Sequence, residues 1–311
     1  MPKPFMTYEE QIEKLREKQL QIPDEDSAKE ALQRLSYFSL ITGYKNLFKN
    51  KSTGQYRDGA SFSDILFLYR FDESLRELTL HHLLHIEHHI RSLLSYSFCE
   101  IFGESQQAYL TPSNYNNIPK NQRDIRRLID RHISPLLEHP TDYPYIEHHK
   151  AAYHTVPLWA LSKALTFGTV SKIYLLSKSQ IQSSISQKFQ SVNEKQLGQF
   201  LKVLTIFRNV CAHGERLFSY RCTKQIPDMP LHKKLHIPQK GSQYLYGKQD
   251  YFSIVISFRY LLLHDEFLLY KRQLARLMEK MISHSAVVTL PELLEAMGMP
   301  ENWKHITKYK I

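Results

Sequence analysis

The stretch Arg208-Asn209-Val210-Cys211-Ala212-His213 puts a permanent cation and a titratable imidazole five positions apart, near the end of a predicted helix. Arginine can grip phosphate oxygens through a bidentate fork and stabilise the extra charge of a pentacoordinate phosphorus, while histidine moves protons near neutral pH. These are the groups that metal-free cleavage of RNA needs. Spacing alone says little, because the Arg-x4-His interval occurs four times, also at Arg76 to His81, Arg127 to His132 and Arg259 to His264. Only at Arg208 does asparagine follow the arginine directly, with Ala212 beside the histidine and Gly214 and Arg216 after it.

Other clusters compete. His81, His82, His85, His88 and His89 share one predicted helix, and His81 and His85 with His88 or His89 would put three imidazoles on one face, a geometry that zinc or nickel accepts. No His-Glu-x-x-His pattern is present, so we expect no metal and a weakly basic face that contacts phosphate. Arg123, Arg126, Arg127 and Arg131 make a basic helix that would touch an RNA backbone, although a charged face is usually just solvated. Lys224, Lys233 and Lys234 lie with Tyr244 in a long connection, Glu215 to Asp250, that leaves directly from Arg208 and His213. Lysines there would follow phosphates and tyrosines stack on unpaired bases. Trp159, Phe167 and Phe207 are expected in the core.

The elements that must position these groups read as helices. There are only 10 glycines in 311 residues, apolar residues recur three and four apart, and alternation of period two is scarce. The fold class is all-α. Thr7 to Glu10 resembles a capping box, and Asp24 or Asp26 would cap a second helix. The segment from Gly43 to Gly59 reads as a loop or small hairpin. From Ser61 to about Phe102 no proline or glycine interrupts the pattern, which predicts the longest helix, stopped by Gly103. A helix over Asn121 to Leu137 follows, then one opened by Pro157, then a break at Phe167 to Ser171. Asn193 and Gln196 form a second capping-box pattern, launching the helix that ends near His213-Gly214. Tyr251 to about His284 returns to helix.

With 42% hydrophobic residues the chain can bury a substantial core, and a formal charge of +10 favours a polyanionic partner, RNA first, then DNA, then an anionic membrane surface. Three cysteines, Cys99, Cys211 and Cys222, form no CxxC pair, which argues against a disulfide scaffold or a structural zinc site. Met1 to Glu10 lacks the apolar core of a signal peptide, and no run of about 18 apolar residues occurs. A cytoplasmic protein with no membrane partner is the expectation.

The context around Arg208 resembles the motif of the HEPN superfamily, helical nucleotide-binding domains that include many metal-independent ribonucleases. Further stretches are similar to the Abi family of bacterial abortive-infection proteins, of the AbiD and AbiF type: Tyr44 in Ile41 to Tyr44, Phe71 to Arg76, Ile86 to Arg91, Pro157 to Leu161 with Phe167-Gly168, and Met297 to Trp303. The resemblance implies phage defence, and for the AbiF-like branch a relation to the HEPN nucleases of RNA-guided effectors and an associated small noncoding RNA. It implies a HEPN-like helical bundle with N- and C-terminal helical extensions: residues 1–60, a core over 61–285 with a basic loop at 215–250, and a tail at 286–311 packed on the core. Carried over by position, the family's arginine, polar residue and histidine fall on Arg208, Asn209 and His213, and Glu87, with Arg91 one turn on, is the candidate acidic partner.

The expected chemistry is attack of the substrate's 2'-hydroxyl on its own phosphorus, leaving a 2',3'-cyclic phosphate, with no cofactor. His213 would move the proton, Arg208 hold the charge and Asn209 orient the phosphate. Arg91, Arg216, Arg123, Arg126 and Arg127 would bind RNA with the lysines and Tyr244 named above. One histidine does not easily perform two proton transfers, so a homodimer pairing two copies of the motif is expected. The alternative is a binding protein that grips a noncoding RNA without cutting it. A nucleotidyl-transferring toxin lacks its glycine-serine loop and paired aspartates, and no helix-turn-helix signature marks a DNA-binding regulator.

Overall fold

A computed structural model describes residues 4–140 and 142–311; residues 1–3, which open the expected N-terminal extension and the Met1 to Glu10 stretch, lie outside the described residues, as does Thr141. The helices are α1 (Tyr8–Arg16), α2 (Glu25–Leu35), α3 (Phe62–Phe102), α4 (Gln106–Leu110), α5 (Pro119–Leu128), α6 (Ser134–Glu138), α7 (Pro144–Tyr153) and α8 (Leu158–Leu161). They continue with α9 (Phe167–Leu176), α10 (Ser179–Ser186), α11 (Glu194–Ala212), α12 (Pro230–Lys234), α13 (Tyr251–Leu261), α14 (His264–His284) and α15 (Leu290–Met297). Among the described residues the only sheet is Gln239–Lys240 paired with Gln243–Tyr244. The protein is an all-α bundle, and no helix among the described residues is long and apolar enough to cross a membrane.

Helix α3 is the spine, 41 residues and therefore about 60 Å long. A capping box starts it: Asp64 N donates to Ser61 Oγ at 3.2 Å and Ser61 N donates to Asp64 Oδ2 at 3.0 Å. Its apolar stripe, Ile65, Leu68, Leu75, Leu83, Ile86, Ile90, Leu94 and Phe98, is buried in one contiguous core that reaches from Ile12 to Ile306. Helices α8, α10, α11 and α14 pack along it.

Helix α11 carries the Arg208 stretch. It opens on the reciprocal pair Asn193 and Gln196, with backbone-to-side-chain bonds of 3.0 and 2.9 Å. Leu197, Phe200, Leu201, Leu204 and Phe207 are buried, so Arg208 and Asn209 emerge from the core just before the helix stops at His213 and Gly214, which has φ +68°. Helix α9 lies antiparallel to α11, since a Cβ at Gly168 would sit 3.4 Å from Thr205 and one at Gly198 only 2.7 Å from Leu175. Gly198 thus lets the two helices approach closely.

This pairing corrects one expectation. Phe167 to Ser171 is not a break but the first turn of α9, because Thr166 Oγ1 accepts the Thr169 N-H at 3.2 Å and caps it. Gly168 reads as a breaker in sequence, yet it faces a neighbouring helix. Smaller corrections are of the same kind. Pro157 is the cap of α8 rather than its first residue, the expected helix over Asn121 to Leu137 is α5 and α6 joined by a wide π turn at Ile129–Ile133, and Tyr251 to His284 divides at Leu262-Leu263.

A buried knot ties three distant segments together. Asp72, fully buried on α3, accepts from Tyr44 Oη at 2.7 Å, from Arg76 at 2.8 Å, and from the backbone N-H groups of Leu217 at 2.9 Å and Phe218 at 2.7 Å. Burial pushes the Asp72 carboxyl up, and these donors pull against that. The chain just beyond His213 is therefore pinned to the spine. After it, the connection to Asp250 is irregular but packed, with Leu217, Phe218, Cys222, Ile226, Met229, Leu231, Leu235 and Ile237 all buried. Its apolar residues follow no helix or strand period, which is why it reads as an open loop in sequence.

Candidate functional site

A cleft of about 1190 Å³ opens between α3, the α8–α9 segment and the end of α11. Glu87 lies in its wall with only 4% exposure. One carboxylate oxygen accepts from Arg91, one turn along α3, and the other stands 3.5 Å from Nε of Arg208. Arg91 also donates to the carbonyl oxygen of Ser162, which fastens the α8 region to the spine. The two arginines are not equivalent. Arg91 is fixed from both ends and its side chain is 12% exposed, whereas the Arg208 side chain is 33% exposed. No hydrogen bond to the Arg208 Nη atoms is found among the described residues, and its Nε and Glu87 Oε2 form a loose ion pair without a hydrogen bond. One carboxylate thus faces two guanidiniums, leaving positive charge on the side of the cleft.

Asn209 and His213 are exposed and line the same cleft. Five helical positions carry the His213 backbone about 7.5 Å along the axis from Arg208. His213 caps the helix, its backbone N-H donating to the Asn209 carbonyl at 2.9 Å. Cys211, inside the motif, is buried and its thiol is pushed up to about 12 by that burial, so it is no nucleophile.

The other sequence candidates scatter. Arg123, Arg126 and Arg127 are exposed on α5, away from the cleft; Arg127 joins His132, Lys172 and Lys202 around a hollow of about 380 Å³. Arg216 turns inward and donates to the Gly43 carbonyl. Lys224 and Lys233 are exposed, Lys234 donates to the Lys310 carbonyl at 2.7 Å, and Tyr244 stacks on His232 with centroids 4.8 Å apart. None of these lines the cleft. The alternative Arg-x4-His pairs are structural or dispersed, Arg76 being locked on Asp72.

The histidine row on α3 splits by function. His82 is buried against Tyr270, and burial pulls its imidazole below the usual range. His85 pairs with Glu266 at 2.8 Å. Among the described residues no group of three or more His, Cys, Asp or Glu is arranged to hold a metal ion.

Among the cleft residues that the sequence does not mark for it are His88, Tyr96, Lys163 and Trp159. His88 is hidden among five histidines of similar spacing. Trp159 corrects an expectation outright, being 50% exposed rather than in the core as Phe167 and Phe207 are. Leu158, Ala160 and Leu161 take the buried positions of this one-turn helix and leave Trp159 facing out.

A family model described as Abi-like protein matches residues 30–219, more than half of the chain and including both sides of the cleft. No curated protein and no solved structure matches.

Proposed function

We propose, from the premise that this chain belongs to the Abi-like protein family, that it is an abortive-infection protein that defends against phage as a metal-independent endoribonuclease of the HEPN kind. The observation that carries the reading is the convergence of Glu87, Arg208, Asn209 and His213 on one cleft from two helices far apart in sequence.

The reaction is transesterification. The substrate's 2'-hydroxyl loses its proton and attacks the adjacent phosphorus, the bond to the 5'-oxygen breaks, and that oxygen takes up a proton. The products are a 2',3'-cyclic phosphate and a 5'-hydroxyl. Arg208, whose terminal nitrogens make no hydrogen bond among the described residues, meets the non-bridging oxygens as charge builds on them. Asn209 orients the phosphate, Glu87 aims Arg208 and Arg91 holds Glu87. Two proton transfers call for two groups, and His88 on α3 lines the same cleft as His213. A homodimer that pairs two copies of the motif is the other arrangement that supplies two imidazoles to one phosphate.

His213→Ala should lower cleavage of single-stranded RNA by roughly 10²-fold or more while RNA binding persists, and His88→Ala should remove one limb of the pH-rate profile. Cleavage unchanged in His213→Ala would sink the assignment. The second reading, a clamp on a small noncoding RNA, draws support from basic surface that does not line the cleft, Arg123, Arg127 and Arg131 around one hollow and Arg127, Lys172 and Lys202 around the next. It predicts a single discrete RNA copurifying with wild-type protein and no product from any RNA offered.

A further inference from the structure

Trp159 stands out among the residues the proposed chemistry leaves unused. A single exposed apolar side chain is ordinary. What sets this one apart is where it is held. Its ring is half exposed, stacks on no other ring among the described residues, and lines the same cleft as Arg208 and His213. Its backbone is tied to the ion-pair system: Ser162 Oγ donates to the Trp159 carbonyl at 3.1 Å, and the Ser162 carbonyl accepts from Arg91. Arg91 binds Glu87, and Glu87 faces Arg208. This polar chain ties the backbone at Trp159 to the wall that carries Glu87, which faces Arg208 across a 3.5 Å ion pair. The charge around it suits an anion, since Lys163 lines the cleft as well and the carboxylate of Glu87 is engaged by two arginines.

A flat aromatic surface beside a cationic phosphate site has one fitting ligand, a nucleotide whose base is unpaired, because a base within a duplex has no free face to offer. We infer that Trp159 is the stacking platform for an unpaired nucleobase next to the phosphate held by Arg208, so that the cleft selects single-stranded over duplex RNA. This rests on the nuclease reading for the identity of the polymer, and adds which form of it is taken and by which residue.

The test uses the full chain and an uncleavable 2'-O-methyl single-stranded 12-mer, the same strand with abasic central nucleotides, and its duplex, with binding read by anisotropy. Trp159→Ala should weaken the single strand roughly tenfold or more, leave the abasic strand unchanged, and reduce the preference over duplex; Trp159→Phe should restore most of the loss. Because the chain's second tryptophan, Trp303, is buried at 2% exposure, quenching of the accessible tryptophan fluorescence by the single strand reports on Trp159 directly. Equal affinity of wild type and Trp159→Ala overturns the inference, and so does an equal loss for normal and abasic strands. If wild type cuts RNA and Trp159→Ala binds as well as it does, only the platform falls; if wild type binds no RNA at all, the nuclease reading falls with it.

Discussion

Glu87 holds two guanidiniums that would otherwise face each other across a half-dry wall. Taking away one partner of a buried ion pair leaves the other charge uncompensated, at a cost of about 3–5 kcal/mol. Most of that penalty falls on Arg91, the more buried arginine. Glu87→Ala should accordingly lower the urea midpoint strongly, and Glu87→Met combined with Arg91→Met should recover most of it, since a well-packed apolar pair replaces a buried ionic one at little cost. A Glu87→Ala protein as stable as wild type would mean that Glu87 has no such role. At this scale the sequence is informative where chemistry is local: Arg208, Asn209 and His213 stand together because one helix end presents them. It is silent where exposure is decided by distant packing. Trp159 has the composition of a core residue, and only the inward turn of Leu158, Ala160 and Leu161 on a four-residue helix puts it in the cleft.

Helices α3, α9 and α11 set the site, and the segment after α11 is locked by side chains that no period betrays. His232 is buried, its Nδ1 accepts the Met229 N-H at 3.0 Å and its Nε2 donates to the Gly247 carbonyl at 2.9 Å, which assigns the neutral Nε2-H tautomer. Burial pulls its imidazole below the usual range. The unfolded chain's histidine takes up a proton below about pH 6.5 while the folded one resists, so the stability His232 contributes is present above that pH and lost as pH falls through it. Asp250, raised to about 6 by burial, works in the opposite sense, its contribution growing as pH drops below that value. The readout is therefore the difference between wild type and His232→Gln: the gap in denaturation midpoint should narrow from pH 7.5 to pH 5. A gap that does not change with pH would show that His232 is not the titrating lock. The long helices were legible because caps and unbroken periodicity mark them. The start of α9 was not, because Gly168 signals a break locally and a helix contact only in three dimensions.

Across the whole molecule the formal charge is +10, and part of the basic surface lies on the two helices that also reach the cleft. Lys172 on α9 and Lys202 on α11 border the hollow with Arg127, and the same two helices bring Gly168 and Arg208 to the cleft. A strand lying along this route would be gripped by its phosphates at one end and presented to Arg208, His213 and Trp159 at the other. The all-α architecture was readable from glycine scarcity and helical spacing, whereas the joining of a basic face to a cleft depends on the antiparallel seating of α9 on α11. Metal-independent cleavage is measured most directly by incubating the purified chain with single-stranded RNA in excess chelator and determining the product ends by mass spectrometry. A metal-independent nuclease gives cleavage with 2',3'-cyclic phosphate and 5'-hydroxyl ends that is abolished in Arg208→Ala; intact RNA, or products with 3'-hydroxyl and 5'-phosphate ends, would exclude that chemistry.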